Sequence, residues 1–494
     1  MLRSRCKVVP ARKTAFVFIR ALALVYAAAF LSLWPQIPGL IGEQGILPAG
    51  EFFKYIASVT GANRFWLVPT LAWFRSDTVF LQGLCAAGIV FSLLLFAGVL
   101  PRFCLFWVWA LYLSLMHAGQ IFLSFQWDCL LLEAGFLALW AAPWTLWDKP
   151  SEAHEPDAFL VFLFRWLFFR LMIGSGAVKL LSGDVSWGNL TALTYHYWTT
   201  PLPAWTGWYL NGLSPDFHKA AALIMFAVEL GLPWLIWTGR RGRLICFAGQ
   251  VIFQVILIAT GNFAFFNYLT IVLALWLLDD GFLGSGPQGV PPEFLVPARS
   301  TPWPMIRRCI SRALLGILLL FSGVIFLETL NVRLAELKPL KRVMAAASPF
   351  CLTNHYGLFA VMTKERHEIV LEGSLDGQTW LPYEFRWKPG DPLKRPEFVA
   401  PHQPRLDWQM WFAALGTLRQ NAWVLGLMKQ ILFESQPVLG LLKNNPFPAR
   451  APRYLRALVY DYRFTDPETK RRTGAWWQRT LVGEYAPAVS RTGG

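Results

Sequence analysis

Apolar residues dominate the first two thirds of the chain in long runs, broken only briefly by polar positions. The runs fall near 14–34, 78–99, 103–123, 127–147, 158–181, 217–238, 244–260, 263–278 and 313–330. A helix needs about 17–25 such residues to cross the hydrocarbon core of a bilayer, so the pattern predicts about nine transmembrane spans. After residue 331 the pattern changes. Residues 355–363, 367–375, 380–388, 454–464 and 475–485 are rich in β-branched and aromatic residues and bounded by Gly, Pro, Asp and Asn, which predicts strands. Between them Trp408, Trp411, Phe412, Leu415 and Leu418 recur at helical spacing, which predicts a helix over 408–434. The expected architecture is a polytopic α-helical membrane bundle, residues 1–331, followed by an extracytoplasmic β-rich domain, residues 332–494, of α+β or β-sandwich-like form.

Charge orients the spans. Arg3, Arg5, Lys7, Arg12 and Lys13 precede the first run, Arg240, Arg241 and Arg243 follow the sixth, and Arg299, Arg307, Arg308 and Arg312 precede the last. If all three clusters lie in the cytoplasm, an even number of spans separates each pair. The short seventh and eighth runs then form a hairpin, the N-terminus lies inside and everything beyond residue 331 lies outside. The first run, with its basic flank, is too long for a signal-peptide core and has no A-x-A cleavage site after it, so it is expected to remain as a span.

Composition agrees: 55% of the 494 residues are hydrophobic and 15% charged, with a mean hydropathy of +0.41. The net charge of +15 sits at the ends of apolar runs rather than on a polar, aromatic-studded face, which excludes nucleic-acid binding. Seven cysteines show no CxxC or metal spacing, and seven histidines show no HxxxH or HxH pair. No phosphate loop, dinucleotide fingerprint, metalloprotease motif or nucleophile elbow occurs, and no cofactor is expected.

The candidate chemistry lies in charges placed where membrane helices seldom carry them. In FQWDCLLLEAGF (125–136), Asp128 falls at the outer end of its span, where it would cap a helix starting at Cys129, and Glu133 falls about a turn deeper. Five residues separate the two by about 140° around the helix, which argues against an acid–base dyad. Arg165, Arg170 and Lys179 of the fifth run are candidate counter-charges for Glu133, and Glu229 of the sixth is a further intramembrane carboxylate. His196 lies in an aromatic, Pro-rich outer loop, TYHYWTTPLPAW (194–205). In PHQPRLDWQMWF (401–412), Arg405 precedes Asp407 at a candidate N-cap, ahead of aromatics that either form a core or grip hydrophobic clients.

FQWDCLLLEAGFLA, RLMIGSGAVKL followed by Trp187 and TYHYWTTPLP, GNFAFFNYLTI, NHYGLFAVMTKER, YEFRWKPGDP, PRLDWQMWFAAL and NNPFPARAPRYLRALVYDYRF resemble the lipase maturation factor family. The resemblance runs from about residue 115 to 485. It implies a multi-pass membrane protein that helps secreted lipases reach their active, assembled state, with membrane lipids and client proteins as partners and no catalytic residues to carry over. It further implies the endoplasmic reticulum membrane in a eukaryote, with the C-terminal domain in the lumen. The compact chain, ending SRTGG without a retention signal, points equally to a bacterial inner membrane. The GSGAVKL segment with Trp187 also faintly resembles the membrane domain of the vitamin K-dependent carboxylase-like superfamily. That defines the enzyme alternative, an intramembrane catalyst acting on a lipid or lipophilic cofactor through Lys179, Glu133 and His196. A transporter lacks the expected internal repeat.

Overall fold

The computed structural model describes residues 11–149, 155–283, 302–332 and 338–491; Arg3, Arg5, Cys6, Lys7, His154 and Arg299 lie outside them. All nine apolar runs are helical. They are α1 (Arg12–Leu33), α2 (Thr78–Ala97), α3 (Pro101–Ala118), α4 (Gln126–Ala141), α5 (Ala158–Leu181), α6 (Pro215–Phe226), α7 (Arg240–Thr260), α8 (Phe266–Ala274) and α9 (Pro302–Thr329). Among the described residues six helices are long and apolar enough to cross a membrane, fewer than the nine expected: α1, α2, α5, α6 with its continuation to Trp237, α7 and α9. α3 spans 18 residues, α4 only 16, and α8 with its last turn runs only from Phe266 to Leu277. α8 is almost wholly buried within the bundle, so protein rather than lipid surrounds it.

α6 changes its winding midway. Pro233 has no backbone N–H to donate, and the helix passes through a π-helical turn, Ala227–Gly231, into a tighter 3₁₀ stretch, Leu232–Trp237. α7 and α8 form the expected hairpin, since Arg243 near the start of α7 meets Asp279, just beyond α8, at 3.3 Å. The described members of the three basic clusters gather at one end of the bundle. Asp280 accepts from the backbone of Lys13 and Thr14, Asp279 pairs with Arg240 and Arg243, and Glu155 and Asp157 reach Arg12 and Arg312.

The C-terminal part takes the α+β form of the two expected, with one sheet among the described residues rather than a sandwich-like pair. Strands β1 (His367–Ser374), β2 (Leu381–Tyr383), β3 (Tyr454–Phe464) and β4 (Trp477–Ser490) form an antiparallel sheet in the order β2-β1-β3-β4. β1 pairs with β3 from His367↔Asp461 to Ser374↔Tyr454. The predicted helix over 408–434 is two, α10 (Arg405–Ala414) against β1 and α11 (Trp423–Leu432) against β3. Residues 415–422 form turns between them, where Gln420 accepts from the Thr417 amide and hydroxyl. The strand expected at 355–363 does not form. Its backbone is held instead by bundle side chains: Gly357 N–H donates to Gln126, Met362 N–H to Asp184, and Trp187 donates to the Phe359 carbonyl. A strand of this composition lost its ladder because other partners satisfied its peptide groups.

One apolar core runs through both parts, from Phe18, Tyr26 and Leu130 in the bundle to Ile369, Leu406 and Leu455 outside it.

Candidate functional site

The polar residues singled out in the sequence resolve into three buried clusters where the C-terminal part meets the bundle. The first surrounds Asp128. This residue does help cap its helix, accepting from the Phe125 N–H at 3.4 Å, but α4 begins at Gln126 rather than Cys129 and the end is not wet, since Asp128 is fully buried. Arg405 grips it with both terminal nitrogens, Nη2 to Oδ1 at 2.9 Å and Nη1 to Oδ2 at 3.0 Å, and also donates to the Phe122 carbonyl at 2.7 Å. The Tyr112 hydroxyl donates to the same carboxylate. Arg405 arrives there because residues 402–405 thread across the end of α1. Gln403 N–H donates to Ser32 Oγ at 2.8 Å, Arg405 N–H to Gln36 Oε1 at 2.8 Å, and Trp127 Nε1 to Gln403 Oε1 at 2.7 Å. A bidentate pair of this kind in a dry setting is strong in geometry and costly to break.

The second cluster surrounds Glu133. Arg170 of α5 donates to Oε1, while Oε2 accepts from Tyr356 Oη at 2.6 Å, Asn354 N–H at 3.0 Å and Asn354 Nδ2 at 3.0 Å. Gly174 makes this possible, because a Cβ there would meet the Tyr356 carbonyl at 2.8 Å. Arg165 is no partner of Glu133; it donates to the Trp276 carbonyl at 2.9 Å. Beside this cluster the Cys351 thiol donates to Met116 Sδ at 3.9 Å, and Cys129 and Cys351 are both free cysteines.

The third cluster holds Lys179, Glu229 and His196. The Lys179 ammonium donates to both oxygens of Glu229, at 2.7 and 3.0 Å, and to the Ser175 carbonyl at 3.0 Å. All three of its protons are engaged, which does not suit it to act as a base. His196 shares the cavity with Lys179, but Glu133 does not, so the three residues of the enzyme alternative are not assembled.

Asp407 is not an N-cap either, since α10 begins two residues earlier. Its buried carboxylate accepts from the backbone of Trp387 and Lys388 at 2.8 and 2.9 Å, and burial raises its pKa. Sequence reasoning missed Tyr112, Asn354, Tyr356 and Gln403, and also Arg366. Arg366 pairs with Glu368 and clamps the carbonyls of Trp198, Thr200 and Pro201, so the aromatic segment 194–205 is pinned to the sheet. For all but Tyr112, which sits inside the apolar run of α3, the available signal was their location in the blocks NHYG, KER and HQPR, short polar stretches beside apolar segments.

Between the clusters lies an aromatic cleft of about 410 Å³, lined by Phe125, Trp127, Phe263, Trp408, Trp411 and Phe412 among others. Trp127 stacks on Phe125 at 4.8 Å and meets Trp408 edge-on at 4.8 Å. Trp408 and Trp411 are core residues, whereas Phe412 and Leu415 are 41% and 50% exposed. Among the described residues no group of three or more His, Cys, Asp or Glu side chains could hold a metal ion.

Residues 13–285 match the family model described as the lipase maturation factor transmembrane domain, and residues 352–487 match the lipase maturation factor C-terminal domain. The chain is 37% identical to lipase maturation factor 1 of Mus musculus, covering 96% of this chain and 87% of that one. It is 36% identical to lipase maturation factor 1 of Homo sapiens, covering 97% and 88%. With lipase maturation factor 2 of Gallus gallus it shares 35% identity, covering 97% and 82%. No solved structure matches. The chain is a multi-pass membrane protein that belongs to the lipase maturation factor family.

Proposed function

We propose that this protein is a membrane-bound maturation factor that assists the folding and assembly of secreted lipases or other exported proteins by binding them, without chemistry of its own. The observation that carries this reading is the similarity along almost the whole chain to proteins named for lipase maturation. In this reading the basic end of the bundle faces the cytoplasm and the sheet-bearing part, beyond about residue 332, works outside: in the lumen of the endoplasmic reticulum, or in the periplasm if the source is bacterial. The aromatic cleft is the client-holding surface. It is rimmed by exposed Phe412, Leu415 and Val361 over a rigid buried floor, an arrangement suited to retaining an apolar segment of a partly folded chain. Such binding favours native-like client states by mass action.

The test is a deletion strain complemented with the wild-type chain, F412D or L415D, with the amount and specific activity of exported lipases measured in each. Both positions are exposed, so the variants are expected to accumulate normally while client activity per molecule of client falls several-fold. Normal client activity with either variant contradicts the cleft. Unchanged clients alongside altered membrane lipids would transfer the case to the enzyme alternative.

A further inference from the structure

A second cavity, which shares Phe263, Leu358 and Phe359 with the wall of the client cleft, lies among α5, the π-helical turn of α6, α7, α8 and residues 358–359, with a volume of about 150 Å³. A dry cavity of about this size admits a benzene ring. Its walls are largely apolar, from Met172, Met225, Phe253 and Leu257. Five buried polar side chains also line it: Ser175, whose hydroxyl donates to the Leu171 carbonyl, and Lys179, Glu229, Gln254 and Asn267. Lys179 and Glu229 cancel each other's charge. Asn267 Nδ2 donates to Gln254 Oε1 at 2.9 Å, which leaves the Gln254 amide nitrogen and the Asn267 amide oxygen without partners among the described residues. His196 stacks on Phe263 at 6.2 Å and meets Phe359 edge-on at 5.0 Å. Its ring nitrogens likewise have no hydrogen-bond partner among the described residues. Burial and the nearby Lys179 push its pKa down to about 4, so near neutral pH the ring offers one N–H and one lone pair without a charge.

The mouth of the cavity is lateral. Ile256 lines it, yet is 53% exposed on the same α7 face as exposed Ile252 and Val255, and α6 presents exposed Leu223 and Ile224 opposite. Apolar faces of this kind on spanning helices meet acyl chains. Sixteen residues of α7 place Ile256 about 24 Å from the basic end, in the far half of a core about 30 Å thick. The cavity has room for a head group and its first carbons, with the rest of the molecule left in the bilayer. A charged head entering it would unbalance the Lys179–Glu229 pair, whereas hydroxyl and carbonyl groups match the free imidazole and amide positions.

We propose that this cavity binds the head of an uncharged, hydroxyl-bearing lipid of the monoacylglycerol kind, admitted sideways between α6 and α7. The site does not depend on the client-holding function and stands or falls separately from it.

The full-length protein in phosphatidylcholine nanodiscs is photolabelled with a monoacylglycerol carrying a diazirine on the first carbons of its acyl chain, and the adducts are mapped by mass spectrometry. Saturable labelling of residues 221–225 and 253–260, displaced by excess unlabelled monoacylglycerol and not by fatty acid, is expected. I256W, at an exposed position, narrows the mouth and should reduce the labelling to background, while I245W on the same helix leaves it intact. E229Q leaves the Lys179 ammonium unmatched and should shift preference toward the fatty-acid carboxylate by about tenfold, the scale of one hydrogen bond to a charged group. Labelling that does not saturate, survives I256W or is displaced equally by fatty acid in the wild type overturns the proposal.

Discussion

Asp128 and Arg405 are separated by 277 positions in sequence and meet with both side chains almost fully buried. Removing one member leaves the other as an uncompensated buried charge, at a cost of about 3–5 kcal/mol, whereas replacing both with apolar residues of similar volume can be nearly neutral. R405M is therefore expected to lower thermal stability and abundance sharply, and D128L/R405M to recover much of the loss; fluorescence-detected size-exclusion chromatography over a heating series measures both. A double variant no better than R405M would show that the pair contributes nothing specific. At this scale the sequence was half legible. Glu133 stood out because a carboxylate at that depth needs a cation, and a fifth-span arginine was in range. The partner of Asp128 was not legible, because helical periodicity relates residues a few turns apart and carries nothing about a loop hundreds of positions later.

Among the elements, the apolar runs were readable as helices because their length and composition leave few alternatives. The irregular segment 355–363 was not. Its β-branched and aromatic residues fit a strand, and only the positions of Gln126, Asp184 and Trp187 show why no ladder forms. The Gly-Ser-Gly step at 174–176 is the helical counterpart of that segment, since Gly174 faces the Tyr356 carbonyl and Gly176 faces Leu230 of the π-helical turn. G174V is expected to push residues 354–356 off Glu133 and cost about 1–3 kcal/mol, the usual range for overpacking. G323A on α9, where an added Cβ would meet nothing within 4 Å, should be neutral or slightly stabilising. Equal behaviour of the two variants in a thermal-shift assay would contradict the close approach at Gly174.

For the molecule as a whole, two regions were visible in the sequence as a change of hydrophobic pattern, but the seam between them was not. That seam is a shared core in which Asp128 of the bundle meets Arg405 of the C-terminal part, and Glu133, already paired with Arg170, also accepts from Asn354 and Tyr356. Cutting the chain at residue 345 removes Arg405 from Asp128, and Asn354 and Tyr356 from Glu133, so the truncated bundle is expected to accumulate poorly rather than persist as an inactive anchor. Immunoblotting of membranes measures this, and normal levels of residues 1–345 would show that the bundle is self-sufficient.

The same arrangement imposes an order on synthesis. At about 5–20 residues per second, the 277 positions between Asp128 and Arg405 take on the order of tens of seconds to leave the ribosome. Through that interval the Asp128 carboxylate of α4 lacks its arginine, and the bundle reaches its final packing only when the last third of the polypeptide has been made and has docked on it. A protein proposed to supervise the completion of others thus depends on its own completion, since a chain interrupted before residue 405 keeps a buried carboxylate without the cation that covers it.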